Sequence, residues 1–338
     1  MRYGLVKKVL VTGASGHLGF SLVKLLQERG YEVTAAVRDA NDEKKTANLK
    51  KLGVKLVSAD LGDRESLRAA LQGQDGLFQV AASFNLTAKD PQKEVVEPNI
   101  NGTRNILEEA HNARIKKVVY TSSIAAVGTI AEGELPLNES TWNDSAKEPY
   151  AISKTQSEKL AWEISKKLDL NLVTVLPGTI LGPQFTQPTS SLKLIQDILK
   201  GQLPFAPKMT FSYVDVRDVA MAHILAYENP NAQGRYIATG ETLSVSQVCK
   251  LVKEIHPKAK TTGKELPSFI VRVMPYLDAF KHAVTGLDRQ INSEIVQDYL
   301  QRKQEYNSDR LEKEFQWKPM PVKKSLQETV DWMLSAAV

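Results

Sequence analysis

Tyr150 and Lys154 stand four residues apart in YAISK, which on a helix puts a phenol and an ammonium on one face. A free phenol titrates at about 10 and is a poor acid-base group at neutral pH, but a neighbouring ammonium favours the phenolate and lowers that value. Thr121-Ser122-Ser123 ends an apolar run upstream, so a hydroxyl there can donate to a substrate oxygen while Tyr150 gives that oxygen its proton. Ser123 is favoured for this part, with Ser122 as a packing or backbone partner. The plain alternative for both serines is capping of the strand end. Proton transfer to a carbonyl, or from an alcohol, is the chemistry these side chains suit.

Such a proton transfer needs a hydride partner, and TGASGHLG supplies its cradle. Gly13, Gly16 and Gly19 fall between the first apolar run and a segment of helical period. Gly13 permits the tight turn, Gly16 lets the backbone approach a pyrophosphate and Gly19 allows close helix packing. Ser15, His17 and Leu18 complete the loop and the helix start, whose unpaired N–H groups suit phosphates. A dinucleotide is therefore expected, against the alternative of a ligand-free turn. With it, Lys154 can hold the nicotinamide ribose and fix hydride geometry. Lowering the Tyr150 pKa to about 7 takes roughly 4 kcal/mol, a demand shared by Lys154 and the oxidised nicotinamide.

About 20 residues past the loop, where an NAD site presents a carboxylate, the chain reads VTAAVRDANDEKK. Arg38, supported by Lys44 and Lys45, can pair with a 2′-phosphate, so NADP is favoured over NAD. Asp39 could instead turn inward, and the lysines could form a solvated helix face. Asp60, with Leu61 beside it, could reach the adenine edge or cap the following helix.

The elements that position these groups follow from periodicity. Short apolar runs at 8–11, 32–37, 55–57, 76–80, 117–120 and 171–175 read as strands, and 18–29, 64–71, 99–113 and 153–167 read as helices. Their alternation predicts an α/β, Rossmann-type doubly wound parallel sheet with ligands at the carboxyl ends of its strands. After Pro177, prolines break the chain into short pieces. Strands at 211–214 and 235–238, flanking a helix at 216–227, are expected to return to the main sheet. This divides the chain into a dinucleotide-binding domain of 1–178 with 209–240, and a smaller, discontinuous substrate-binding region of 179–208 with 241–338. Phe84, Phe185, Phe205, Met209 and Tyr213 are candidates to line an apolar substrate pocket, or else plain core. The apolar stretch 269–280 is expected to cover that pocket or to pack against a second subunit.

Composition narrows the partners. The 338 residues are 42% hydrophobic and 25% charged, as in ordinary globular domains. A net charge of +5, spread without basic blocks, offers no footprint for nucleic acid. Cys249 is the only cysteine, which rules out an internal disulfide and a thiolate zinc cage, and the five histidines lack ligand spacing, so no metal is expected. The N-terminal stretch is too short for a secretory signal, and 269–280 is broken by Arg272, Pro275 and Asp278 and cannot span a bilayer. A cytoplasmic protein, monomer or homodimer, is expected.

TGASGHLG, the Ser123/Tyr150/Lys154 set, PGTILGP and FSYVDVRDVAMAHILAYE together resemble the extended short-chain dehydrogenase/reductases of the NAD-dependent epimerase/dehydratase superfamily, and within them the dihydroflavonol 4-reductase-like branch. The resemblance runs from Lys8 to about Ala238. It implies Tyr150 as proton donor, Lys154 as its pKa modulator and Ser123 as the hydroxyl that orients the carbonyl. It also implies cofactor contacts from Ala81 and Ala82, and from Pro177, Gly178 and Thr179 beside the nicotinamide. Gly128 replaces the asparagine of plant flavonoid reductases, which argues against a flavonoid substrate. The expected activity is NADP-dependent reduction of an aldehyde or ketone to an alcohol. A sugar-nucleotide epimerase or dehydratase with tightly held NAD is the first alternative, and a nucleotide-sensing module without chemistry the second.

Overall fold

The computed structural model describes residues 7–83, 88, 90–185, 189–285 and 293–335. Its first half alternates strand and helix: β1 (Lys8–Thr12), α1 (His17–Glu28), β2 (Glu32–Val37), α2 (Glu43–Lys51), β3 (Lys55–Ser58), α3 (Arg64–Leu71) and β4 (Gly76–Gln79). Then follow α4 (Glu97–Asn112), β5 (Lys117–Thr121), α5 (Pro149–Leu168) and β6 (Leu172–Pro177). All six expected strands form. Helix α2 arises within the lysine-bearing segment, for which the sequence allows a phosphate contact or a solvated face. Asp42 caps it by accepting from the Lys45 N–H.

These strands join β9 (Gly234–Ala238) in one parallel sheet of order β3-β2-β1-β4-β5-β6-β9. The order reverses between β1 and β4, and such a switch point opens a crevice at the carboxyl ends of the strands. β5 and β6 are buried on both faces because helices cover both sides. Leu22, Leu26, Val219 and Tyr236 fill the core on the side of α1 and of α7 (Val216–Glu228). Leu67, Leu77, Ile106 and Ala161 fill the side of α3, α4 and α5.

One expected strand goes elsewhere. β8 (Thr210–Asp215) does not return to the main sheet; it lies between β7 (Thr179–Leu181) and β10 (Thr242–Ser244) in a separate three-stranded sheet. Around that sheet pack α6 (Ser190–Leu199), α8 (Val245–Ile255), α10 (Ser293–Tyr299) and α12 (Val322–Ser335), with a core built on Leu192, Val248 and Leu326. α11 (Asp309–Phe315) instead packs its Leu311 into the main core. α9 (Ser268–Thr285) buries Val271 and Pro275 and turns Phe269, Tyr276, Leu277 and Phe280 outward. None of those four lines the crevice, so the expected pocket cover is not found there. No described helix is long and apolar enough to cross a membrane.

Two buried histidines tie the fold to pH. His223 on α7 is fully buried, its Nδ1 2.8 Å from the Val219 carbonyl and its Nε2 2.8 Å from Thr121 Oγ1. A carbonyl only accepts, so Nδ1 carries a proton, and the lowered pKa leaves the ring neutral at pH 7. Burial pulls its pKa from 6.5 down to about 4. The unfolded chain therefore takes up the proton first, and the stability contributed by the neutral ring, complete above 6.5, is lost as pH falls towards 4. That loss amounts to about 3 kcal/mol at most. In urea melts near pH 7 and near pH 4.5, His223→Gln should lose about 2 kcal/mol less than the wild type between the two conditions. Equal losses in both proteins would contradict the assignment.

Candidate active site

The crevice is a cavity of about 1260 Å³ that runs from the glycine turn to the second sheet. Its floor is the turn after β1. Gly13 has φ +63°, and a Cβ there would sit 2.9 Å from Ala81 Cα at the end of β4. At Gly19 a Cβ would lie 2.1 Å from the Gly13 carbonyl oxygen, so only glycine lets α1 begin this close to the turn. Thr12 fixes the spacing of the two strand ends: its Oγ1 donates to Gln79 Oε1 at 2.7 Å and accepts from the N–H groups of Val80 and Ala81. The first α1 bond runs from Phe20 N to Gly16 O, leaving the earlier amides without intrahelical acceptors. Unpaired amides at a helix start, over a floor no Cβ can enter, fit a pyrophosphate.

Gly13, Ser15, Gly16, His17, Leu18 and Gly19 all line this end of the cavity, as do Ala81 and Ala82. His17 is buried, with Nε2 3.0 Å from the Pro183 carbonyl and burial holding its pKa down to about 4. Beyond β2, Arg38 is 83% exposed on its side chain and pairs with Asp60 at 3.2 Å. Asp60 also accepts from the Gly62 N–H, while the cap of α3 is Asp63. Asp60 is thus neither the helix cap nor tied to the backbone alone, and Leu61 lines the cavity beside it. Asp39 accepts from the Asn41 N–H and does not line the cavity. Lys45 lines it where Lys44 was expected, because one residue turns a helix by about 100° and carries Lys44 off that face.

At the carboxyl end of β5, Ser123, Tyr150 and Lys154 line the same cavity. Helix α5 starts earlier than its periodicity indicates, so Tyr150 lies in its first turn, after Pro149. Glu148 precedes them and caps the helix with both carboxylate oxygens, accepting from the N–H groups of Tyr150 and Ala151. Its first-turn amides thereby hold the phenol in place. Ser123, at the start of the segment after β5, is near enough to the Tyr150 hydroxyl to lower its pKa. Lys154 is 5% exposed; its Nζ donates to the Thr121 carbonyl at 3.1 Å and lies 5.9 Å from the Tyr150 ring centre.

The charge state of the phenol differs from the expected direction. Burial pushes Tyr150 up to about 12, the neighbouring Ser123 hydroxyl pulls it back in part, and Glu148 raises it further. Burial also draws Lys154 down to about 8, opposed by Glu158. The protein groups alone keep the proton on the phenol, which is the form a proton donor needs.

Beneath the trio lies a buried network that sequence reasoning missed. Glu158, one turn after Lys154 and fully buried, accepts from Arg235 Nε at 2.9 Å, Ser122 Oγ at 2.7 Å and Thr174 Oγ1 at 2.7 Å. Arg235 also donates to the carbonyls of Glu139 and Thr141 and stacks on Trp142 at 3.8 Å. Ser122 is thus spent on structure, and Ser123 is the serine beside the phenol. Asn99 adds a second tie, bonding Ser153 Oγ and the backbone of Ser83. An arginine interrupting the apolar strand GRYIA was the available signal for this network.

Pro177, Gly178 and Thr179 line the cavity between its two ends. The substrate-pocket candidates separate. Tyr213 lines the cavity, with its hydroxyl unpartnered among the described residues. Phe185 packs edge-on against His17 and Trp332 in the core, Met209 is buried in the second core and Phe205 is exposed at the surface. These three do not line the cavity, and Phe84 lies outside the described residues. The wall beyond Tyr150 is built instead from Leu194, Phe211, Ile295, Tyr299 and Gln304. Gly128 has φ +114° and does not line the cavity. Among the described residues no cluster of His, Cys, Asp or Glu could hold a metal ion.

With this geometry in view, similarity to known proteins is informative. A family model described as NAD dependent epimerase/dehydratase family matches residues 9–240. Cinnamoyl-CoA reductase CAD2 of Medicago truncatula is 37% identical over 289 residues, which cover 81% of this chain and 86% of that protein. Gre2 from Candida albicans, solved in complex with NADPH, is 25% identical with a TM-score of 0.77, covering 98% of this chain and 100% of its own. UDP-glucose 4-epimerase of Thermus thermophilus, solved in complex with NAD, is 26% identical with a TM-score of 0.76 and covers 97% and 99%.

Proposed function

This chain belongs to the NAD-dependent epimerase/dehydratase family, in the dihydroflavonol 4-reductase-like branch of the extended short-chain dehydrogenase/reductases, and from that premise we propose that it is an NADPH-dependent reductase of aldehydes or ketones. The observation that carries the reading is the convergence of Ser123, Tyr150 and Lys154 at one wall of the cavity whose floor is the glycine turn. The bound dinucleotide would supply the hydride; the chain supplies everything else. Gly13, Gly16 and Gly19 with the start of α1 hold the pyrophosphate. Ser123 donates to the substrate carbonyl oxygen and aligns it with Tyr150. Tyr150, kept protonated by burial, gives up its proton as the oxygen gains charge. Lys154, anchored on the Thr121 carbonyl, supports the nicotinamide ribose and offsets charge on the phenolate.

The cofactor preference rests on Arg38, which is exposed at the cavity rim and, among the described residues, paired with Asp60. A guanidinium matches a 2′-phosphate in two parallel bonds, each strengthened by charge. Arg38→Ala should cost NADPH binding about 1.5–3 kcal/mol, about tenfold to hundredfold in Kd, and collapse the preference for NADPH over NADH. A preference unchanged in that variant, measured by fluorescence titration, would remove Arg38 from the site. The function itself is tested by following NADPH oxidation over aldehydes and ketones. Steady consumption supports the reductase; silence over the panel, with NAD released on denaturation, would favour an epimerase.

A further inference from the structure

At the far end of the cavity the side chain of Gln304 is a donor that meets no acceptor among the described residues. Gln304 is 5% exposed and lines the wall beyond Tyr150. Its backbone is pinned to the second sheet: its N–H donates to the Thr210 carbonyl at 3.2 Å and its carbonyl accepts from Thr242 Oγ1 at 3.1 Å. Chemistry fixes the side chain as well. The Ser212 backbone N–H can only donate, and it meets the amide at 3.3 Å, so the atom there is the oxygen and the NH₂ group takes the other position. That nitrogen meets no acceptor among the described residues, yet it is not sealed in the core. Leu194, Phe211, Ile295 and Tyr299 line the same cavity, the rings of Phe211 and Tyr299 tilted against each other at 5.7 Å. An amide held by its oxygen at the cavity wall, its nitrogen without an acceptor among the described residues, is the arrangement by which a pocket selects for an acceptor atom.

We propose that Gln304 is a specificity-determining residue whose amide N–H groups bind a second acceptor oxygen on the substrate, so that preferred substrates are bifunctional carbonyl compounds. One oxygen meets Ser123 and Tyr150; the other, a keto or ester carbonyl, meets Gln304. The inference deepens the reductase reading and rests on it for the placement of the first oxygen.

A binding measurement separates the two. Calorimetry on the full chain saturated with NADP⁺ compares a keto ester with its keto ether analogue, identical except for the ester carbonyl oxygen. The wild type should bind the keto ester about tenfold more tightly or better, the value of one neutral hydrogen bond in a dry site. Gln304→Glu keeps an oxygen for the Ser212 N–H but replaces the donor with an acceptor, and should bring the ratio to about one or below. Gln304→Met gives a second reading without the added charge and should also bring it to about one. A wild-type ratio near one, or variants that keep the wild-type ratio, would overturn the proposal. NADPH oxidation measured alongside distinguishes its fate from that of the reductase reading. Selective binding without turnover of either ketone would contradict the reductase and leave the subsite standing; turnover of both with equal affinities would do the reverse.

Discussion

Tyr150→Phe should lower carbonyl reduction by about 10²–10⁴-fold while leaving NADPH affinity within a few fold. The substitution removes one oxygen and keeps the ring, which lies in the first turn of α5 under the double cap of Glu148. What disappears is the hydroxyl proposed as proton donor, which lies near Ser123. The dinucleotide floor, set by Gly13, Gly19 and Thr12 some distance along the cavity, does not involve the phenol. Stopped-flow reduction with saturating NADPH, combined with a fluorescence titration of the cofactor, checks both halves. Turnover within tenfold of wild type would show that another group delivers the proton.

The second large effect concerns stability. Glu158 is fully buried and accepts from Arg235, Ser122 and Thr174 at once, and it is the carboxylate that pairs with the buried Arg235 guanidinium. Glu158→Ala leaves a buried guanidinium uncompensated and orphans two hydroxyls, a loss of about 3–5 kcal/mol. Replacing both members of such a pair with apolar residues costs far less than removing one, because no charge is then stranded. Glu158→Met with Arg235→Met should therefore recover much of the stability lost by Glu158→Met alone. Urea denaturation of the four proteins in the cycle measures this, and a single-mutant loss below about 1 kcal/mol would contradict it. The same carboxylate opposes the fall of the Lys154 pKa, so the pair also links the core to the site.

Much of this arrangement was legible because it is written locally. The glycine turn, the Tyr150–Lys154 spacing and the β-branched strands each declare themselves within a dozen residues, and the structure brings the glycines and the trio to one cavity. What stayed hidden depends on partners distant in sequence. β8 looked like a strand of the main sheet, but pairing with β7 and β10 decides its sheet, and strand propensity carries no information on pairing. Phe185, Met209 and Phe205 had the composition of a pocket wall, yet apolar side chains serve core, cavity or surface equally well. Gln304 reaches the cavity only because the segment around it is threaded against β8 and β10, across more than sixty residues from Thr242. The direction of the Tyr150 shift was missed for a related reason: spacing shows that an ammonium is near but not how dry the phenol's surroundings are.

Every role proposed for these residues depends on net transfer of hydride from the dinucleotide to a carbonyl carbon at the Tyr150 wall. NADPH carrying deuterium at the transferring position, incubated with the protein and a reducible ketone, tests this in one mass spectrum. The expected product is an alcohol bearing one deuterium at the former carbonyl carbon, in proportion to the cofactor consumed. An alcohol without the label, or labelled cofactor left intact while NAD is released from denatured protein, would contradict it.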